Sequence, residues 1–225
     1  MKIMNYELRI KKQKNAGYTI IETMIAISLF IIIIMTGMGA LLNSNRVYNK
    51  SQNMMSIIDS LNFVMDEMST NLRTGYNYRC FLKGSELVQN NINEPNSCTG
   101  TNGGAIAFEQ EEGKLYTGDP PQLYNEDQWV YYIGDTGEKD VNEDTIYGIF
   151  KSIDGLNTYV QLTPNEIHIN PIDSFFTVFG AESFGSGDDK QPFVTIKLVG
   201  EIVFKDITTP FSLQTSVSQR NIDVF

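Results

Sequence analysis

Histidine is almost missing from this 225-residue chain, which holds one, and cysteine and tryptophan are scarce at two and one. A closed zinc site wants four Cys or His ligands, and a Ser-His-Asp triad wants a well-placed imidazole. The single His168 stands in Glu166-Ile-His-Ile-Asn, on the polar side of an apparent strand, and reads as a surface residue. Basic charge is also short. Lys+Arg number 17 against 27 Asp+Glu, a net charge of −10, and a phosphate-binding surface needs the reverse balance, which argues against a nucleic-acid partner. The Gly-rich stretch Gly100-Thr-Asn-Gly-Gly lacks the Lys-Ser/Thr ending of a phosphate-binding loop. No enzyme is expected. Disorder is excluded too, because 41% of the residues are hydrophobic and only 20% are charged.

The apolar residues are concentrated near one end. From Thr23 to Leu42 the chain carries no charge over 20 residues, enough at about 1.5 Å per residue to cross a hydrocarbon core of roughly 30 Å. Residues 1–17 hold Lys2, Arg9, Lys11, Lys12 and Lys14 against Glu7, a net of +4, whereas the chain beyond Leu42 has a net of −13. The bias of positive charge toward the cytoplasm therefore predicts a single-pass membrane protein with a cytoplasmic N-terminus and an exported body, periplasmic or extracellular. Three readings fit the segment: a secretory signal cut near Gly37-Met38-Gly39, an uncut signal anchor, and a third reading carried by the residues around Glu22.

Those residues are Lys14-Asn-Ala-Gly17-Tyr18-Thr-Ile-Ile-Glu22-Thr-Met24: a basic leader ending in Gly, an aromatic, and one carboxylate five residues past the Gly at the head of the apolar run. The pattern resembles the class III signal of type IV prepilins and type II secretion pseudopilins, with Tyr18 where Phe is usual. The resemblance implies cleavage between Gly17 and Tyr18 by a prepilin peptidase, methylation of the new N-terminus at Tyr18, and a role for Glu22 as charge partner of that α-amine in assembly. It implies as partners other pilins or pseudopilins in a helical filament, an inner-membrane assembly platform and membrane lipid. A lone carboxylate in a membrane helix costs on the order of 2.5–3.5 kcal/mol at the helix centre and less near its end, so Glu22 needs a partner. Sitting idle at the headgroup level is the alternative.

The helix continues past Leu42. Val47, Met54, Ile58, Leu61, Met65, Met68 and Leu72 recur at steps of 3, 4 and 7, predicting one buried stripe that packs on a sheet, with Asn62, Asp66 and Asn71 off it. A helix from Tyr18 to Thr74 would have 57 residues and run about 85 Å, with Gly75 as its C-terminal cap. Gly37 and Gly39 each weaken its apolar half by about 1 kcal/mol relative to Ala. The domains expected are a cleaved leader over 1–17, a transmembrane or filament-core helix over 18–42, an amphipathic helix over 43–75, and a β-rich exported body over 76–225.

In that body the period falls to two. Strands are expected at Tyr78–Leu82, Glu86–Gln89, Ala105–Glu109, Lys114–Tyr116, Gln128–Ile133, Thr145–Lys151, Tyr159–Leu162, Glu166–Ile169, Ser174–Phe179, Phe193–Phe204 and Phe211–Ser218. Loops are expected at Gly100–Gly104, Gly118–Pro121, Gly134–Asp144 and Gly185–Pro192. The class is α+β, a helical spine on an antiparallel sheet. Within the family the body resembles minor pilins of the W type and the J-type pseudopilin, on Gln128-Trp-Val-Tyr-Tyr-Ile-Gly, Leu162-Thr-Pro-Asn-Glu-Ile and the ending Leu213-Gln-Thr-Ser-Val-Ser-Gln-Arg-Asn. The K-type tip subunit lacks the Glu that stands here at position 22.

Cys80 and Cys98 fall in the exported part, where oxidation would close a 19-residue loop worth about 3 kcal/mol in the chain-entropy picture; two free thiols are the alternative. Asp140, Asn142 and Asp144 have the i, i+2, i+4 spacing of a calcium loop's first ligands. The rest of that pattern fails, with Thr145 in place of the turn Gly and Lys151 in place of the closing Glu, so a solvated acidic loop is expected, no cofactor is expected, and calcium stays as the alternative.

Overall fold

A computed structural model describes residues 17–89, 92, 94–111, 113, 115–116, 122–123, 125–182, 190–204 and 207–220. The basic leader, Lys114, Gly118–Pro121 and most of the Gly185–Pro192 stretch lie outside the described residues. Contacts divide the chain into two units, Met1–Ser51 and Gln52–Phe225. One helix, α1 (Ile20–Thr74), is followed by β1 (Tyr76–Leu82), β2 (Cys98–Glu109), β3 (Leu115–Tyr116), β4 (Gln122–Leu123), β5 (Trp129–Lys139), β6 (Thr145–Ser152), β7 (Val160–Gln161), β8 (Ile167–Ile169), β9 (Phe175–Phe179), β10 (Phe193–Phe204) and β11 (Ile207–Ser218). Nine strands form one antiparallel sheet, running β11-β10-β9-β2-β5-β6-β7 with β1 beside β2 and β8 beside β10; β3 and β4 pair separately. The fold is α+β, a long N-terminal helix whose second half packs on an antiparallel sheet.

The helix buries Ile57, Leu61, Val64, Met65, Met68 and Leu72 against Tyr78, Ile106, Phe108, Tyr131, Ile149, Phe176 and Ile196 of the strands. This corrects the upper part of the expected stripe. Ile58 and Val47 are exposed, and Ile57 and Val64 take the inward places. Counting back three turns from the fully buried Met68, the 3.6 period of a straight helix reaches Ile57, whereas a step of 3.5 falls between Ile57 and Ile58. A helix lying on a sheet has no supercoil to hold it to the shorter step.

The end of α1 also departs from the expected cap. Gly75 does not take a left-handed conformation; its amide still donates to the Asn71 carbonyl at 2.9 Å, and a Cβ there would run into the Phe108 ring. The positive φ falls instead on Asn77, at 56°. The last helical carbonyls are served by a side chain: the buried Tyr78 hydroxyl lies 2.5 Å from the Leu72 carbonyl and 2.7 Å from that of Gly75. Orphan carbonyls at a buried helix end need such a donor.

Two expected loops are strand. Gly100–Gly104 belongs to β2, and its Gly103 meets Phe176 of β9, Cα opposite Cα, so closely that a Cβ would overlap the Phe176 carbonyl. Glycine there marks a close approach of backbones and not a turn. The β5–β6 ladder runs on to Lys139 opposite Thr145, leaving only 140–144 as a turn in place of Gly134–Asp144. Conversely, Glu86–Gln89 forms no strand. That segment belongs to the chain between the two cysteines, where Ile92 and Leu87 pack on the second face of β2, against Ala105 and Ala107. β11 starts earlier than expected, at Ile207, and carries Pro210 on the outermost strand, where a missing N–H costs no ladder bond.

Candidate functional site

The N-terminal residues of interest are all exposed. Gly17 and Tyr18 precede the helix, and Thr19 caps it: the Glu22 amide donates to the Thr19 carbonyl at 3.1 Å and to its hydroxyl at 3.3 Å. Thr19-Ile-Ile-Glu22 therefore has the spacing of a capping box, with Glu22 at the third helical position. The Thr-x-x-Glu spacing in the sequence is the signal for this role. An acidic side chain in the first turn is also favoured by the exposed N–H dipoles. A Cβ at Gly17 would meet nothing within 4 Å, so packing in this unit does not require glycine there.

Beyond Glu22 the helix carries no charge until Arg46. The hydroxyls of its Thr23–Leu42 stretch satisfy themselves. The hydroxyl of Thr23 donates to the Ile20 carbonyl at 2.8 Å, that of Ser28 to Ile25 at 2.8 Å, and that of Thr36 to Ile32 and Ile33 at 3.0 Å. Such back-bonding lets hydroxyls enter an apolar medium without an unpaired donor. Ile25, Phe30, Ile33, Met35 and Leu41 are exposed by more than half, on every side of the helix. α1 is long and apolar enough to cross a membrane, by length and composition.

In the body, Cys80 of β1 and Cys98 of β2 are joined by a disulfide with Cα atoms 5.7 Å apart. The bond sits at the edge of the main core and closes the segment that covers the second face of β2. The helix is tied to the sheet by Lys151 of β6, whose ammonium lies 2.6 Å from Glu67 and 4.0 Å from the Trp129 ring centre. Asn71 adds a 2.7 Å bond to the Tyr131 hydroxyl, and burial raises the pKa of that phenol.

Asp140, Asn142 and Asp144 lie together in the β5–β6 turn. The Asp140 carboxylate accepts from the amides of Asn142 at 2.8 Å and Asp144 at 2.9 Å, which hold its pKa below the usual carboxylate range, Asp144 contributing most. The Asp140 carboxylate is thus used to close the turn. The turn borders an open concavity of about 410 Å³ that is also lined by half-buried His168 and exposed Glu201, opposite each other on β8 and β10. Among the described residues no group of three His, Cys, Asp or Glu side chains is placed to hold a metal ion.

No protein-family model, no curated protein and no solved structure matches this chain.

Proposed function

We propose that this chain is a minor pilin-like structural subunit, cut by a prepilin peptidase between Gly17 and Tyr18 and assembled into, or priming, a type IV pilus-like filament. The observation that carries the reading is the apolar half of α1. It is exposed on all sides in the monomer, holds a single carboxylate in its first turn, and satisfies its own hydroxyls. A helix apolar all round is suited to hydrocarbon or to a bundle of similar helices. Cleavage would leave a free α-amine on Tyr18, one turn before Glu22, and the pair of opposite charges would offset the cost of burying either alone. Glycine at position 17 without any packing need fits a residue selected for a peptidase.

The test is the intact mass of the chain recovered from its own host membranes and sheared fibres. Loss of residues 1–17 with one added methyl is expected, and a Glu22→Ala variant is expected to be cut normally yet be lost from the fibre fraction. An uncut chain in the presence of an active peptidase would favour a signal-anchored surface binding protein. Co-purification with secretion components in place of pilus ones would favour the J-type pseudopilin of a type II secretion system.

A further inference from the structure

Glu109 ends strand β2 inside the protein. It is 0% exposed, and its nearest described surroundings come from three directions: Tyr76 opposite it on β1, the segment Asn125–Gln128 before β5, and Gly113 in the turn that follows. Gln128, equally buried, donates its side-chain amide to Glu109 Oε2. Glu109 Oε1 is buried with no hydrogen-bond partner. A Cβ on Gly113 would fall on the Glu109 carboxyl, so the glycine leaves room for it. One residue before Glu109, Phe108 packs against Gly75 at the end of α1 and against Trp129.

The charges around this carboxyl have the wrong sign for a carboxylate. Asp127 is the charged group acting on it among the described residues, and the Tyr76 phenol faces both acids, its pKa pushed up to about 12 by burial first and then by Glu109 and Asp127. Among the described residues, the cations of β1 and β6 are engaged elsewhere: Arg79 with Glu94 and the Phe81 ring, Lys151 with Glu67 and the Trp129 ring. Arg73 on the last turn of α1, Glu111 and Glu126 are exposed to water. An ionised carboxylate sealed from water beside a second acid is costly, and the group avoids the cost by keeping its proton. Burial, followed by Asp127, moves the Glu109 pKa up to about 8.

We propose that Glu109 is a pH-sensitive clasp: as a neutral carboxylic acid, accepting from Gln128 on one oxygen, it lets the end of β2 and the 125–128 segment close together at the foot of α1, and its ionisation in alkaline surroundings puts a buried charge with an unpartnered oxygen beside Asp127 and loosens that corner. The folded state binds the proton more tightly than the unfolded chain does. Stability is therefore highest below the ordinary carboxylate range and falls as pH rises from about 4.5 to about 8.

The single tryptophan, Trp129, follows Gln128 in the chain and reports on this corner. Thermal unfolding of the full chain in detergent micelles, followed by its fluorescence, is expected to show the midpoint falling by roughly 5–10 °C between pH 6 and pH 9. Glu109→Gln, which keeps the shape and stays neutral at every pH, should remove that fall, whereas the exposed control Glu126→Gln should retain it. Parallel pH profiles for the wild type and Glu109→Gln would overturn the proposal. Should Glu109→Gln not fold, infrared spectroscopy of the wild-type chain decides: a protonated carboxyl band present at pH 6 and lost by pH 9 supports the clasp, and its absence at pH 6 overturns it. Recovery of the wild-type midpoint at pH 9 by added calcium chloride would assign the carboxylate to a cation and likewise overturn it.

Discussion

Ile33 and Ile196 are the same residue type, yet Ile33 is 67% exposed and Ile196 is 0% exposed. Glycines divide along the same line. A Cβ on Gly37 or Gly39 would meet open space, whereas one on Gly75 or Gly103 would overlap a ring or a carbonyl. In the body, the buried apolar side chains and close-packed glycines such as Gly75 and Gly103 are explained by neighbours within the chain. In the first unit neither is, which means that its residues answer to surroundings the monomer does not supply. The difference separates two kinds of constraint, one readable from packing and one readable only from what the helix is missing.

Matched truncations should break the two regions apart. Met68→Ala removes a fully buried side chain facing the sheet and is expected to cost about 2–5 kcal/mol in denaturant unfolding of the body, while Ile32→Ala should change the same transition by less than ~0.5 kcal/mol. Equal effects would show that the apolar half of the helix contributes to folding of the monomer. A smaller effect sharpens the boundary from the body side. Removing Lys151 and Glu67 singly and together should yield a coupling of roughly 1–2 kcal/mol, because the pair is largely shielded and the ammonium also rests on Trp129. The smallest effect belongs to the other end. Thr19→Ala is expected to weaken the first turn of α1 by about 1 kcal/mol, seen as faster amide exchange near Glu22 with no change in the body's unfolding midpoint.

Much of this architecture was legible before any coordinates. The helix limits, the α+β class and the alternation that buries Val194, Ile196 and Leu198 of β10 all follow from period and composition. The failures were local and share a cause. Gly103 and Gly134 were read as turns because glycine usually punctuates, but in β2 and β5 the chain stays extended and the missing side chain serves a close neighbour. Ile57 was passed over for Ile58 because a sequence of 3- and 4-residue steps fits a coiled coil as well as a helix on a sheet. Glu109 could not have been found, since nothing in Phe108-Glu-Gln-Glu-Glu tells a buried acid from a surface one; only the partner strands seal it. Gly17, Tyr18 and Glu22 are the reverse case: their pattern stands out in the sequence, and the fold adds the Thr19 cap without supplying, among the described residues, a partner for the carboxylate.

The Cys80–Cys98 bond bears on what the body does under tension. If a fibre subunit is pulled, unravelling pays out chain at roughly 3.5 Å per residue, and the length released sets how far neighbours separate before the load is shed. A covalent link across a sequence separation of 18 withholds about 60 Å of that slack. The segment over the second face of β2 then cannot be drawn out, however far the strands beside it come apart. In the filament reading proposed above, the staple would act as a stop on extension as well as a brace for the resting fold.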